Sequence, residues 1–177
     1  MALVLLLGGA RSGKSALAAR LALARESPVT LIATGEARDE EMADRIRLHR
    51  ADRPESWTTI EEPLDLSGAL ARVEDDATVI IECLSLWVAN LVERGETDAQ
   101  IEREARAAAE VARTRTALTV AVSNEVGLGI VPLMPLGRRY RDVLGRINAV
   151  WAAVADEAAL VVAGRALRLE SVETFVP

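Results

Sequence analysis

Apolar and polar residues alternate in blocks along this chain. Leu3-Val4-Leu5-Leu6-Leu7 is an unbroken apolar run, the pattern of a parallel strand buried on both faces. Residues 29–33, 57–60, 78–83 and 117–123 read as further strands. Helical stretches separate them. Residues 15–24 are rich in strong helix formers. Residues 39–50 open with Asp39, Glu40 and Glu41 and carry Arg47 and Arg50 toward the other end, which suits the helix dipole. Residues 64–72 and 84–93 predict two more helices, the second ended by Gly95. Thr97 or Asp98 can cap a long helix running to residue 116. Residues 136–155 predict the last helix, with Arg138, Arg139, Arg141 and Arg146 on it. These arginines read either as a solvated basic face or as a contact to phosphate. Residues 159–163 and 166–169 flank Gly164-Arg165 and read as a closing hairpin. The alternation predicts an α/β fold: a mainly parallel sheet flanked by helices on both faces, with an antiparallel edge strand.

The chemistry starts where the first strand ends. Gly8-Gly9-Ala10-Arg11-Ser12-Gly13-Lys14-Ser15 fits G-x-x-x-x-G-K-[ST], the phosphate-binding P-loop. Its strand-before, helix-after context is the required one. Glycines let the backbone approach phosphate oxygens without a clashing Cβ. The loop N–H groups and the helix N-terminus then face the anion. Lys14 is expected at the β- and γ-phosphates and Ser15 on Mg²⁺. The plain alternative is a glycine-rich turn that binds nothing.

Other candidates sit at predicted strand ends, the edge where open α/β sheets bind ligands. Ala33, Thr34 and Gly35 follow the second strand. Glu61 and Glu62 follow the third, as nucleotide-facing groups or as solvated loop carboxylates. Glu82 closes an apolar run in the manner of a Walker-B acid, which is usually Asp. Direct metal contact, contact through water and a base-like role all remain open for it. Asn124 and Glu125 begin a loop with two glycines and a proline, placed to meet substrate or nucleotide. His49, the sole histidine, shares a helical face with Met42 and Ile46, bordered by Arg45. Residues alone leave it as either a structural or a catalytic group.

Composition narrows the class. A chain of 177 residues suits one domain spanning 1–177. With 50% apolar residues it can bury a core, which excludes a disordered chain. Aromatic residues are only 3%, so Leu, Val, Ile and Ala must build that core. A net charge of −6 with scattered basic residues argues against nucleic acid as a partner. Cys83 is the single cysteine, which excludes an internal disulfide and suits a reducing cytosol. No apolar run reaches the roughly 18 residues of a membrane span. The first residues lack a basic leader, so the expectation is a cytoplasmic protein.

Together these residues resemble the bifunctional adenosylcobinamide kinase/adenosylcobinamide-phosphate guanylyltransferases of cobalamin biosynthesis. The P-loop Gly8 to Ser15 is similar to theirs. So are Glu41 to Arg50 with Arg53-Pro54 and Trp57, Ile81-Glu82-Cys83-Leu84, and Ser123 to Pro132, continued by Gly145-Arg146-Ile147-Asn148. The resemblance implies phosphorylation of adenosylcobinamide by ATP or GTP. It also implies transfer of GMP from GTP to the product through a GMP–histidine intermediate, here on His49. It implies a guanine-nucleotide site lined by Ala33, Thr34, Gly35, Arg50, Ala51, Asp52, Arg53, Glu61 or Glu62, and Glu82. A RecA-like P-loop fold, Mg²⁺ as cofactor and a homotrimer are implied as well. The chief alternative is a small-molecule P-loop kinase without nucleotidyl transfer, and a nucleotide-regulated binding module is a further one.

Overall fold

The structure is a computed structural model describing residues 3–51 and 53–172; Asp52 and the side chain of Arg45 lie outside the described residues. The strands are β1 (Leu3–Leu7), β2 (Val29–Ala33), β3 (Thr58–Glu61), β4 (Thr78–Glu82), β5 (Thr119–Val122), β6 (Glu157–Val162) and β7 (Arg165–Leu169). They form one seven-stranded sheet in the order β3-β2-β4-β5-β1-β6-β7. Every pairing is parallel except β6 with β7. The helices are α1 (Lys14–Leu23), α2 (Glu40–Ala51), α3 (Leu66–Ala71), α4 (Leu84–Glu93), α5 (Asp98–Thr114) and α6 (Pro135–Val154). No helix among the described residues is long and apolar enough to cross a membrane.

Apolar parallel strands need cover on both faces, and alternation along each strand divides the core in two. Leu3, Leu5, Leu7, Ile32, Val79, Ile81 and Ala121 pack with buried residues of α3, α4, α5 and α6. Leu6, Leu31, Ile80, Val120 and Val122 pack with Ala18 and Ala22 of α1. Among the described residues α2 contributes to neither cluster.

Several boundaries differ from the sequence expectation, each for a local reason. The helix expected over 64–72 starts at Leu66, because the Asp65 carboxylate accepts from Gly68 N at 2.8 Å and caps it. Cys83 is not strand but the N-cap of α4. The long helix stops at Thr114 rather than residue 116. Buried Arg115 leaves it to donate to the carbonyls of Leu70, Val73, Glu74 and Ala77. Thr97 does cap that helix, in a reciprocal capping box with Gln100. The first hairpin strand begins at Glu157, where it pairs with Val4 of β1.

Candidate functional site

Because β1, β2, β4 and β5 are parallel, their C-terminal ends share one edge, and the loops that follow them gather there. The P-loop curls between β1 and α1. Gly13 takes φ 104°, a conformation that side chains strain to adopt. A Cβ on Gly8 would run into the Val161 carbonyl oxygen and the Ser12 hydroxyl. Gly164 N donates to Ser12 O at 2.8 Å, so the turn between β6 and β7 buttresses the loop.

Lys14 is buried inside this loop. Its ammonium donates to Gly8 O at 3.0 Å and Gly9 O at 2.6 Å. Burial lowers its pKa, against the opposing pull of Cys83 and Glu82. Ser15 Oγ donates to Glu82 Oε1. The P-loop serine and the acid at the end of β4, 67 residues apart, therefore meet beside Lys14. Arg53 also senses the Glu82 charge, while burial lowers its own pKa. Its Nη1 is buried without a hydrogen-bond partner among the described residues.

The loop after β5 is tied to the same place. Glu125 N donates to Gly8 O at 3.1 Å, while the Glu125 carboxylate turns back to accept from Gly127 N at 2.6 Å. Asn124 Nδ2 donates to Ser85 Oγ at 3.1 Å. Tyr140 Oη donates to Ser85 O at 3.2 Å, and burial pushes its pKa to about 12. Farther along, Leu128, Ile130, Leu133 and Met134 stand exposed as an apolar lip. The arginines of α6 are engaged within the chain. Arg139 and Arg146 pair with Asp98, and Arg138 donates to the Pro132 and Leu133 carbonyls.

A second gathering lies around α2. An open cleft of about 530 Å³ is lined by Gly35, Ile46, Arg47, Arg50, Glu61 and Pro63, among others. Arg50 forms an ion pair with Glu61, joining the last turn of α2 to the end of β3. The two neighbouring acids differ. Glu61 is exposed toward the cleft. Glu62 accepts from Leu64 N at 3.2 Å and Asp65 N at 3.0 Å and pairs with Arg72. Burial works to raise the Glu62 carboxyl, and those bonds outweigh it and hold it below the usual carboxylate range. The Thr34 hydroxyl is committed to Cys83, donating to its carbonyl at 2.7 Å and accepting from its N–H at 2.9 Å. His49 and Ala51 stand exposed at the end of α2. Asp52 lies outside the described residues.

The family described as cobinamide kinase / cobinamide phosphate guanyltransferase matches residues 4–169. The chain belongs to it. It is 41% identical to the bifunctional adenosylcobalamin biosynthesis protein CobP of Pseudomonas aeruginosa over 167 residues, covering 94% of this chain and 96% of that one. It is 38% identical to the bifunctional adenosylcobalamin biosynthesis protein CobU of Escherichia coli over 181 residues, covering 95% and 99%. Among solved structures, the PH0250 protein of Pyrococcus horikoshii OT3 superposes with a TM-score of 0.58 at 8% identity, over 97% of this chain and 87% of that one. A type III secretion ATPase gives 0.56 at 12% identity, over 90% and 50%. The fold is that of a P-loop NTPase, and the enzyme is a transferase of cobalamin biosynthesis.

Sequence reading did not single out Asn90, Ser85 or Tyr140 near this edge. The signal for the first two was present: both are polar residues in the otherwise apolar stretch Leu84-Ser85-Leu86-Trp87-Val88-Ala89-Asn90-Leu91-Val92, where a buried polar side chain demands partners.

Proposed function

We propose that this enzyme phosphorylates the aminopropanol hydroxyl of adenosylcobinamide with ATP or GTP. It then moves GMP from GTP onto the new phosphate, giving adenosylcobinamide-GDP and pyrophosphate. The observation that carries this reading is the convergence of Lys14, Ser15 and Glu82 on one P-loop, in a chain of this family. In the first reaction the substrate hydroxyl oxygen attacks the γ-phosphorus and gives up its proton to water, while the bond from the γ-phosphorus to the β–γ bridging oxygen breaks and the nucleoside diphosphate leaves. Lys14 and the loop N–H groups offset the phosphate charge as it shifts to the leaving diphosphate. Ser15 and Glu82 offer adjacent hard oxygens, a donor set that fits Mg²⁺, which takes few protein ligands and keeps water and phosphate oxygens. Mg²⁺ held there supplies charge neutralisation of the triphosphate.

In the second reaction a His49 nitrogen attacks the α-phosphorus of GTP. A P–N bond forms, the α–β bridging P–O bond breaks, and pyrophosphate leaves. An oxygen of adenosylcobinamide phosphate then attacks the same phosphorus, the P–N bond breaks, and the imidazole is regenerated. Ala33, Thr34, Gly35, Arg50, Ala51 and Arg53 line the nucleotide, with Glu61 in preference to Glu62, whose carboxylate is occupied by the 64–65 backbone. Asn124 and Glu125 are assigned to the acceptor side; the bond from Glu125 N to Gly8 O, which keeps their loop beside the P-loop, supports that assignment. The chain works as one domain in the cytoplasm and as a homotrimer, for which light scattering should give three chain masses at micromolar concentration.

The test is incubation of the full chain with α-labelled GTP and Mg²⁺. The parent should acquire an acid-labile, alkali-stable label on His49. His49→Ala should acquire none and make no adenosylcobinamide-GDP, yet still form adenosylcobinamide phosphate. A label retained in the variant would overturn the histidine intermediate. Phosphorylation without any guanylyl transfer in the parent would favour a plain small-molecule kinase. Absence of both reactions would overturn the reading altogether.

A further inference from the structure

Asn90 lies on α4, a helix that touches both loops at the nucleotide cleft. It is 4% exposed, in the last turn of α4. Its Nδ2 donates to Thr34 O at 2.7 Å and to Pro63 O at 3.0 Å. Its Oδ1 accepts from Arg38 Nη2 at 3.0 Å. These partners fix the amide orientation, since carbonyls only accept and a guanidinium only donates. One planar group thus ties together the loop after β2, the loop after β3, and the segment entering α2. The same helix adds outer links. Arg38 pairs with Glu36 and Glu93, Arg94 pairs with Glu36, and Trp87 Nε1 donates to Leu64 O at 2.7 Å. A buried primary amide costs free energy unless its groups are bonded; here both ends are, and the two Nδ2 bonds fall on loops of the cleft.

We infer that Asn90 is a positioning residue for guanine nucleotide: it sets the spacing between the 33–35 and 61–63 loops, to which the base and ribose fall because the P-loop takes the phosphates, and it leaves the P-loop grip on the phosphates untouched. The inference rests on the nucleotide lining proposed above. Asparagine alone among residues of this size offers two donors and one acceptor in a plane. Aspartate has nearly the same shape but, in place of Nδ2, turns one oxygen toward two carbonyl oxygens and breaks the tie.

The experiment compares the parent with Asn90→Asp by two readouts. One is the KM for GTP in guanylyl transfer. The other is the inhibition constant of inorganic tripolyphosphate, which occupies the P-loop but has neither base nor ribose. The expected result is a rise of about tenfold in the KM for GTP, the scale of one lost buried hydrogen bond, with tripolyphosphate inhibition unchanged. An unchanged KM overturns the proposal. So does a parallel rise of both constants, which marks general loosening of the fold. Should Asn90→Asp fail to fold, Arg38→Ala removes the donor to Oδ1 together with the Glu36 and Glu93 ion pairs, and the same split at a smaller rise of about threefold is expected; no split there overturns the proposal equally. If the parent itself transfers no guanylyl group, the functional reading fails instead, and the ratio of GTP to tripolyphosphate binding still tests Asn90.

Discussion

The P-loop and α2 carry the two groups on which the proposed reactions depend, and they are built in opposite ways. Lys14 is buried and closed in by backbone: Gly8 and Gly9 carbonyls on one side, Glu82 with Ser15 on another, and the hairpin turn at Gly164 behind Ser12. His49 sits on a helix that adds nothing to either buried cluster among the described residues. That helix is joined to the body by the Arg50–Glu61 ion pair and by contact of Ile46 with the Gly35 loop. Phosphate charge must be met by donors already in place, because reorganising them during transfer is costly. A nucleophile needs reach and access instead. The two constructions match those two demands.

The largest effect is expected at Lys14. Lys14→Ala removes the point charge common to both proposed reactions. Each should fall by at least about 10²–10³-fold, the scale of losing one preorganised electrostatic donor. The fold should persist, because the ammonium is expensively buried and its removal leaves only carbonyls that water can satisfy. Separate assays of phosphorylation and guanylyl transfer check this. If one reaction keeps its parent rate, the two do not share the P-loop.

A smaller but more telling effect is expected at Gly8. Gly8→Ala adds one methyl group that meets the Val161 carbonyl and Ser12. Overpacking of this kind costs roughly 1–3 kcal/mol. The displaced loop should lose nucleotide affinity beyond what stability explains. Denaturant unfolding together with nucleotide titration measures both. A parent-like variant would mean that the hairpin is not a support of the loop. Gly9 offers the control, since a Cβ there has nothing within 4 Å.

This contrast also separates what sequence could and could not reveal. The P-loop, the strand that feeds it and the acid at the end of β4 were readable, because each is a local pattern imposed by burial or by phosphate geometry. The order of the sheet was not, though alternation gave its parallel character. Boundaries failed where a distant partner took over, as at Arg115, whose guanidinium binds carbonyls some 40 residues away. The choice between Glu61 and Glu62 stayed open in the sequence. The proposed preference for Glu61 follows from the 64–65 backbone capturing the Glu62 carboxylate, a turn geometry that composition does not encode. Asn90 escaped for the same reason: its partners at Thr34 and Pro63 are 56 and 27 residues away. For His49 the sequence offered position and uniqueness, while its exposed setting on α2 emerged only from the fold.

The smallest effect is expected at the tie between α2 and β3. Arg50 and Glu61 are both more than half exposed, at 54% and 57%. Exposed pairs of this kind contribute only about 0–1 kcal/mol, because water screens the attraction and two long side chains lose freedom. Arg50→Ala, Glu61→Gln and the double variant should therefore give a coupling under about 1 kcal/mol in unfolding. It should shrink in about 0.5 M salt, where screening reaches within a few ångströms. The KM for GTP should respond more strongly than stability, since both side chains line the cleft. A coupling above about 2 kcal/mol that resists salt would mean that α2 is locked to the body as firmly as the P-loop is. The contrast between a closed phosphate cradle and an accessible nucleophile would then have to be abandoned, because His49 would ride on an element as over-determined as Lys14.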